Sequence, residues 1–346
     1  MTAVSPKRRY RIVFGATLAA LILLLLISVN VGKVSVTFAD IIKISLSKLG
    51  LASGFSEDVE LQKMTVFYNV RMPRSILAVL VGAALSASGA VMQGLYRNPL
   101  AAPDVLGVTQ AANFGVGVAI FFFSAGTLGV QMTSFAFGVG VLFFTFTLIT
   151  RLNSPNITTL VLIGVIMSAL FQAGLTLLLY LSDPYSQMLR INYWLLGAFN
   201  TASWDDIIIV SPIVIAGLCL LSLFSWRLNV MAQGDEEAMA MGVNVRLWRT
   251  FYIIIVALIV SVSTSSVGNI SWVGLIIPHI ARYIVGSNQA KVVPYCTVLG
   301  GLFLLLIDTI VRNLSCGEIP ISIITSFIAA PFLLSLVMSR DRKRVW

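Results

Sequence analysis

Charge is scarce in this 346-residue chain: 11% of its residues are Asp, Glu, Lys or Arg, against about 25% in a soluble globular domain. A soluble protein of this length needs a charged surface, and these few residues cannot supply one. Histidine occurs once, as His279, which leaves no partner set for a tetrahedral metal site and assembles no Ser-His-Asp arrangement. The three cysteines, Cys219, Cys296 and Cys316, are an odd count without metal-ligand spacing and argue against a disulfide framework. No G-x-x-x-x-G-K-[ST] run is present, so the chain has no P-loop with which to hydrolyse ATP unaided. These absences exclude a soluble enzyme, a disordered chain and a disulfide-stapled secreted domain, and neither a metal nor a cofactor is expected.

What is present is apolar. Hydrophobic residues make up 58% of the chain and its mean hydropathy is +0.95. Uncharged runs fall at 12–32, 75–96, 105–150, 152–182, 207–226, 250–281, 292–307 and 319–339. A lipid core of roughly 30 Å takes about 20 helical residues, so the third run holds two spans, turning at Ser124-Ala125-Gly126-Thr127. The sixth run also holds two, divided near Gly268-Asn269. The expectation is an all-α polytopic membrane protein of about ten transmembrane helices in a single domain, 1–346, because backbone in lipid must satisfy its own hydrogen bonds. The first run is too long for a signal-peptide core and reads as an uncleaved span.

The net charge of +9 is a topology signal here rather than a sign of nucleic acid. Lys7, Arg8, Arg9 and Arg11 at one terminus and Arg340, Arg342, Lys343 and Arg344 at the other place both ends in the cytoplasm. Arg97, Arg151, Arg227, Arg246, Arg249, Arg282 and Lys291 then lie on the same side. Lys33, Lys43, Lys48, Lys63, Arg71, Arg74, Arg190 and Arg312 lie outside, most of them in one segment, 33–74. That excess of outer positive charge calls for an acidic partner.

Several local patterns stand out. Arg227–Arg249 is the longest polar cytoplasmic stretch between spans, and in it Gly234-Asp235-Glu236-Glu237-Ala238-Met239-Ala240-Met241-Gly242 reads as a short helix. Its acids complement the positive helix end, and Gly242 stops it; such a rigid object suits a groove on a soluble partner. Asp308 is the one acid placed within a span and stands at i,i+4 to Arg312, a spacing that allows an ion pair. Two Gly/Pro-interrupted segments, one around Asn98, Pro99 and Pro103 and one around Gly268, Gly274, Pro278 and His279, sit at comparable places in two candidate halves, a pattern of inverted repeats. Gly82, Ala83, Ala84, Ser86, Ala87, Ser88, Gly89 and Ala90 form a small-residue stretch suited to close helix packing.

Arg71-Met72-Pro73-Arg74, Gly89–Gly94, Arg97–Ala101, Pro103–Val108, Gly234–Gly242, Gly274–Arg282, Glu318-Ile319-Pro320 and Ala330-Pro331-Phe332 together resemble the signature of FecCD-type ABC importer permeases, in unbroken order from about Arg71 to Met338. The resemblance implies a non-enzymatic permease in a bacterial inner membrane, with the pathway formed by two permease copies. Two separate ATPase subunits would drive it, and a periplasmic or lipid-anchored substrate-binding protein would deliver the cargo. It implies ATPase coupling at Asp235, Glu236, Glu237, Ala238, Met241 and Gly242, and binding-protein docking at Arg71, Arg74 and Arg312. An inner gate is implied near Asn156, Ile157, Thr158 and Thr159, with structural motif positions at Asn98, Pro99, Pro278, His279 and Asp308. The cargo expected first is a ferric siderophore, with haem, vitamin B12 or molybdate as alternatives. An ion-coupled secondary carrier would need titratable residues in several spans, and an intramembrane enzyme a clustered catalytic set; neither pattern is seen.

Overall fold

The computed structural model describes residues 5–32, 34, 40, 46, 62–151, 157–314 and 319–340. Asn156, Cys316, Glu318, Lys33, Lys43, Lys48, Arg342, Lys343 and Arg344 lie outside the described residues. Among the described residues the chain forms twelve α-helices and no strand. They are α1 (Pro6–Asn30), α2 (Met72–Leu95), α3 (Val108–Phe123), α4 (Thr127–Thr150), α5 (Ile157–Leu181) and α6 (Gln187–Leu195), then α7 (Trp204–Met231), α8 (Asp235–Ala240), α9 (Val245–Val267), α10 (Val273–Val285), α11 (Gln289–Leu314) and α12 (Ile321–Arg340). A π-helical turn, Val66–Arg71, leads into α2, and a 3-10 turn, Pro103–Leu106, leads into α3.

Seven helices are long and apolar enough to cross a bilayer, and α3, α10 and α12 are shorter apolar helices. Together they make ten apolar helices, the number expected from the sequence, seven of them of full span length. The expected divisions also hold: α3 gives way to α4 across Ser124–Gly126, and α9 ends just before Gly268. The amphipathic helix α6, lying across the end of α3 through Gln187 to the Phe121 carbonyl and Arg190 to the Ala125 carbonyl, was not anticipated.

Helix α2 is the axis of the bundle. Its most apolar window is 83% buried, against 11% for α1, and it packs most extensively on α11. Between apolar helices in lipid, close van der Waals packing supplies the attraction that water supplies elsewhere, and the small-residue stretch makes such packing possible. A β-carbon on Gly82 would stand 2.3 Å from the Gly300 carbonyl oxygen, and one on Gly89 would stand 1.7 Å from that of Gly274. Both pairs are backbone-to-backbone contacts that no larger residue permits.

Two helices are too short for a full span: α3 has 16 residues and α10 has 13. After α2 the chain turns back, and Pro103 comes to lie beside Gly274, whose own β-carbon would meet Leu85 midway along α2. From there α3 runs toward the end where α2 began. The segment 268–272 descends from the opposite direction, and α10 starts at the same depth and runs the other way. The two Gly/Pro-interrupted segments therefore meet in the middle of the protein and launch half-helices of opposite direction, the arrangement an inverted repeat predicts. Pro278 inside α10 has no N–H for the Gly274 carbonyl. Gln93 of α2 reaches into the gap instead, its Nε2 lying 3.5 Å from the Gly274 oxygen and 3.3 Å from that of Leu275.

Candidate functional site

Three regions concentrate polar side chains: the end of the bundle carrying α8, the mid-depth junction of the half-helices, and the end opposite α8.

At the first, Gly234 takes φ 153°, and a β-carbon there would lie 1.8 Å from Glu237 Oε2; a glycine is required for the turn into α8. Ala238 is fully buried beneath the helix. Asp235 accepts from Arg249 Nη2 at 2.9 and 2.8 Å and stands 3.8 Å from Arg97 Nη2. Gly242 leaves at φ 77°, and Asn244 Oδ1 caps α9 by accepting from the Leu247 amide at 3.1 Å. The helix is thus fixed by a buried methyl below, an ion pair at its start and a glycine at each side. Of the six predicted coupling residues, Ala238 has no exposed surface and Asp235, its side chain 39% exposed, is paired with Arg249; both hold α8 in place. Glu236, Glu237, Met241 and Gly242 are exposed as expected. Met239 and Leu247, each 57% exposed, join Met241 at 65%, and sequence reasoning missed both. Their signal was available: large apolar side chains in a polar segment outside any membrane run mark a protein contact.

At mid-depth a cavity of about 290 Å³ opens between Pro103 and Asp104 on one side and Ile270, Ser271, Trp272 and Leu275 on the other. Asp104 Oδ1 accepts from Thr109 Oγ1. Trp272 stands in the left-handed region at φ 75°, a conformation that costs a non-glycine residue on the order of 1–3 kcal/mol, and its Nε1 donates to Ser326 Oγ of α12 at 3.1 Å. Among the described residues no basic side chain lines the cavity.

At the end opposite α8, Arg71 and Arg74 are only 3% and 4% exposed. The Arg71 guanidinium donates to the carbonyls of Val29 at 3.1 Å, Asn30 at 2.8 Å and Val34, so it neutralises the negative C-terminal end of α1. Arg74 forms a buried ion pair with Asp308, Nη2 to Oδ1 at 2.8 Å, closed by Nε to Oδ1 at 2.9 Å. Two expectations are corrected. Asp308 pairs with Arg74 across the α2–α11 interface, rather than with Arg312 along one helix. Arg71 and Arg74 are interior residues, so they do not present the exposed docking cations that the resemblance implied. The half-buried Arg312 donates to the Ser28 carbonyl and to Ser28 Oγ at 3.0 Å.

Of the remaining predicted positions, Thr158 is exposed and Thr159 half-buried at the start of α5. Asn98 Oδ1 accepts from the Leu100 amide at 2.9 Å and shapes the turn before Pro99, while Pro278 and the half-buried His279 sit within α10. Arg97 and Arg249 reach Asp235 of α8, and Arg282 shares a cleft with Arg97 at that end. Arg227 lies 3.8 Å over the Trp248 ring.

A bundle of ten apolar helices, two of them short helices that start beside each other at its centre, with a rigid apolar-and-acidic knob at one end, suits a multi-pass transport permease. Residues 20–339 match the FecCD transport family, and the chain belongs to that family: it is a permease of an ABC importer. It is 37% identical over 338 residues to the molybdate import system permease protein MolB of Haemophilus influenzae, with 97% of this chain and 98% of that one covered. It is 31% identical over 341 residues to the hemin transport system permease protein HmuU of Yersinia pestis, covering 96% and 97%. A solved structure described as "An inward-facing conformation of a putative metal-chelate type ABC transporter" superposes with a TM-score of 0.84 at 33% identity, covering 94% of this chain and 99% of that one.

Proposed function

We propose that two copies of this chain form one pathway in a bacterial cytoplasmic membrane, with both termini inside, two ATPase subunits seated on the α8 ends and a substrate-binding protein on the opposite face. The observation that carries this reading is the exposed surface of Met239, Met241 and Leu247, rimmed by Glu236 and Glu237, on a helix too firmly fixed to be a linker. An apolar centre within a polar rim is the composition of a protein contact. The binding protein meets the other end where Arg312 remains accessible. The inner gate belongs at the start of α5, around Thr158 and Thr159; Asn156, which the same reading includes, lies outside the described residues.

The cargo we infer is a ferric siderophore. The mid-depth cavity offers apolar walls, the Trp272 indole and the Asp104 carboxylate, and among the described residues its lining carries no cation to hold an oxyanion. Molybdate is the second reading, favoured by the 37% identity to a molybdate permease. The companion binding protein, purified with its native ligand, is expected to carry a ferric siderophore. Vesicles containing the assembled importer are expected to accumulate radiolabelled ferric siderophore on addition of ATP. A binding protein that retains molybdate, with ATP-driven molybdate uptake and no iron uptake, would overturn the siderophore assignment.

A further inference from the structure

Beside α8 lies a second polar region that coupling leaves unused. A cleft of about 600 Å³ opens at the α8 end between the turn after α2 and the junction of α10 with α11. Its wall carries two guanidinium groups, Arg97 and Arg282, surrounded by side-chain amides that include Gln93, Asn98, Gln233 and Gln289; among the described residues no aspartate or glutamate lines it. Gln289 is 6% exposed and its buried Oε1 accepts no hydrogen bond, so turning the carboxamide about its terminal torsion to aim the Nε2 donors into the cleft breaks no bond to that oxygen. Arg282 uses Nη1 on Gln93 Oε1. Arg97 is held at φ 51°, in the left-handed region, with its side chain 43% exposed.

Clustered cations without an acid repel one another and favour an anion between them. Paired guanidinium forks with amide donors suit an oxyanion of the phosphate type. The cleft's one link to an acid runs through Arg97, whose contact with Asp235 at 3.8 Å is a full ångström longer than that of Arg249 at 2.8 Å. We propose that the cleft is an anion site for a phosphate-type oxyanion, and that its occupant competes with Asp235 for Arg97. The oxyanion is either free in solution or the phosphodiester of an anionic lipid headgroup. Filling the cleft draws Arg97 off α8 and leaves Asp235 to Arg249 alone, which links occupancy to the ATPase. That second half rests on the coupling role proposed for α8; the binding itself does not.

The test uses the permease–ATPase complex in phosphatidylcholine nanodiscs at constant ionic strength, with the nucleotide sites filled by a non-hydrolysable ATP analogue. Titration with inorganic phosphate is expected to show one saturable site per permease chain. Affinity should fall about tenfold in Arg282→Gln, the scale of a lost charge-assisted hydrogen bond, and about fivefold in the near-isosteric Gln289→Met. It should not change in Arg151→Gln, an exposed cation outside the cleft. In discs containing phosphatidylglycerol, a lipid occupant abolishes phosphate binding and leaves one phosphatidylglycerol per chain in native mass spectra, whereas a free oxyanion binds as before. Absence of saturable phosphate binding together with no retained phosphatidylglycerol would overturn the site, as would affinities that neither variant moves. If phosphate binds as expected but the ATPase rate does not respond to it, the site stands and the link to α8 fails.

Discussion

Replacing Asp308 with asparagine is expected to destabilise the protein by about 3–5 kcal/mol, because it removes the carboxylate that faces the Arg74 guanidinium, 4% exposed, in the bundle interior. Arg74→Met should cost a similar amount by stranding Asp308, which has no exposed surface. The double variant Arg74→Met/Asp308→Leu removes both charges, keeps the volume between α2 and α11, and should recover most of the loss, since a buried ion pair roughly breaks even against a well-packed apolar pair. Thermal unfolding in detergent reads all three. The same double variant separates a packing role from a docking role: a folded variant with normal affinity for the binding protein fits the buried pair seen here, and a folded variant that has lost docking would restore Arg74 to the outer surface. If the double variant is as unstable as the worse single one, the pair is not the interaction that matters.

The second large effect is expected at α8. Met239→Asp combined with Met241→Asp should reduce ATP-dependent uptake to background while leaving the melting temperature of the isolated permease unchanged. Both side chains are more than half exposed, so the fold loses little. At an interface centre, however, such apolar residues carry about 2–4 kcal/mol each when truncated, and burying a carboxylate in their place adds a desolvation penalty. The loss should appear as failure of the ATPase to co-purify. Glu236→Ala with Glu237→Ala should act more mildly and in a salt-dependent way, because charges at a rim govern encounter more than residence. Uptake and co-purification that survive the methionine changes would remove α8 from the ATPase contact.

How far the sequence carried the fold is instructive at particular residues. The scarcity of charge and the lengths of the uncharged runs were enough for ten apolar helices, since a bilayer leaves helix as the only option for such runs. The small residues from Gly82 to Ala90 announced a tightly packed helix, and the structure makes that helix the axis. The Gly/Pro interruptions at Asn98–Pro103 and Gly268–His279 were visible as a pair. That they touch was not visible, because the contact of Gly89 with Gly274 joins positions far apart in the chain. Partner choice failed for the same reason: Asp308 had a sequence neighbour at i,i+4 in Arg312, and only the register of α2 against α11 brings Arg74 closer. Arg71 and Arg74 read as surface cations because flanking charges usually are; the carbonyls at the end of α1 that absorb Arg71 carry no sequence signature. At α8 the acids and Met241 were legible in the sequence and the exposed Met239 and Leu247 were not, although in a water-facing turn the apolar residues are the more informative ones.

The most direct test of the central claim is uptake by vesicles reconstituted with the permease, its ATPase and its binding protein, measured with and without internal ATP and with and without imposed sodium and proton gradients. An importer driven by separate ATPase subunits should accumulate cargo only when all three proteins and ATP are present, and should be indifferent to either gradient. Accumulation by the permease alone, driven by a sodium or proton gradient and unaffected by ATP, would contradict it.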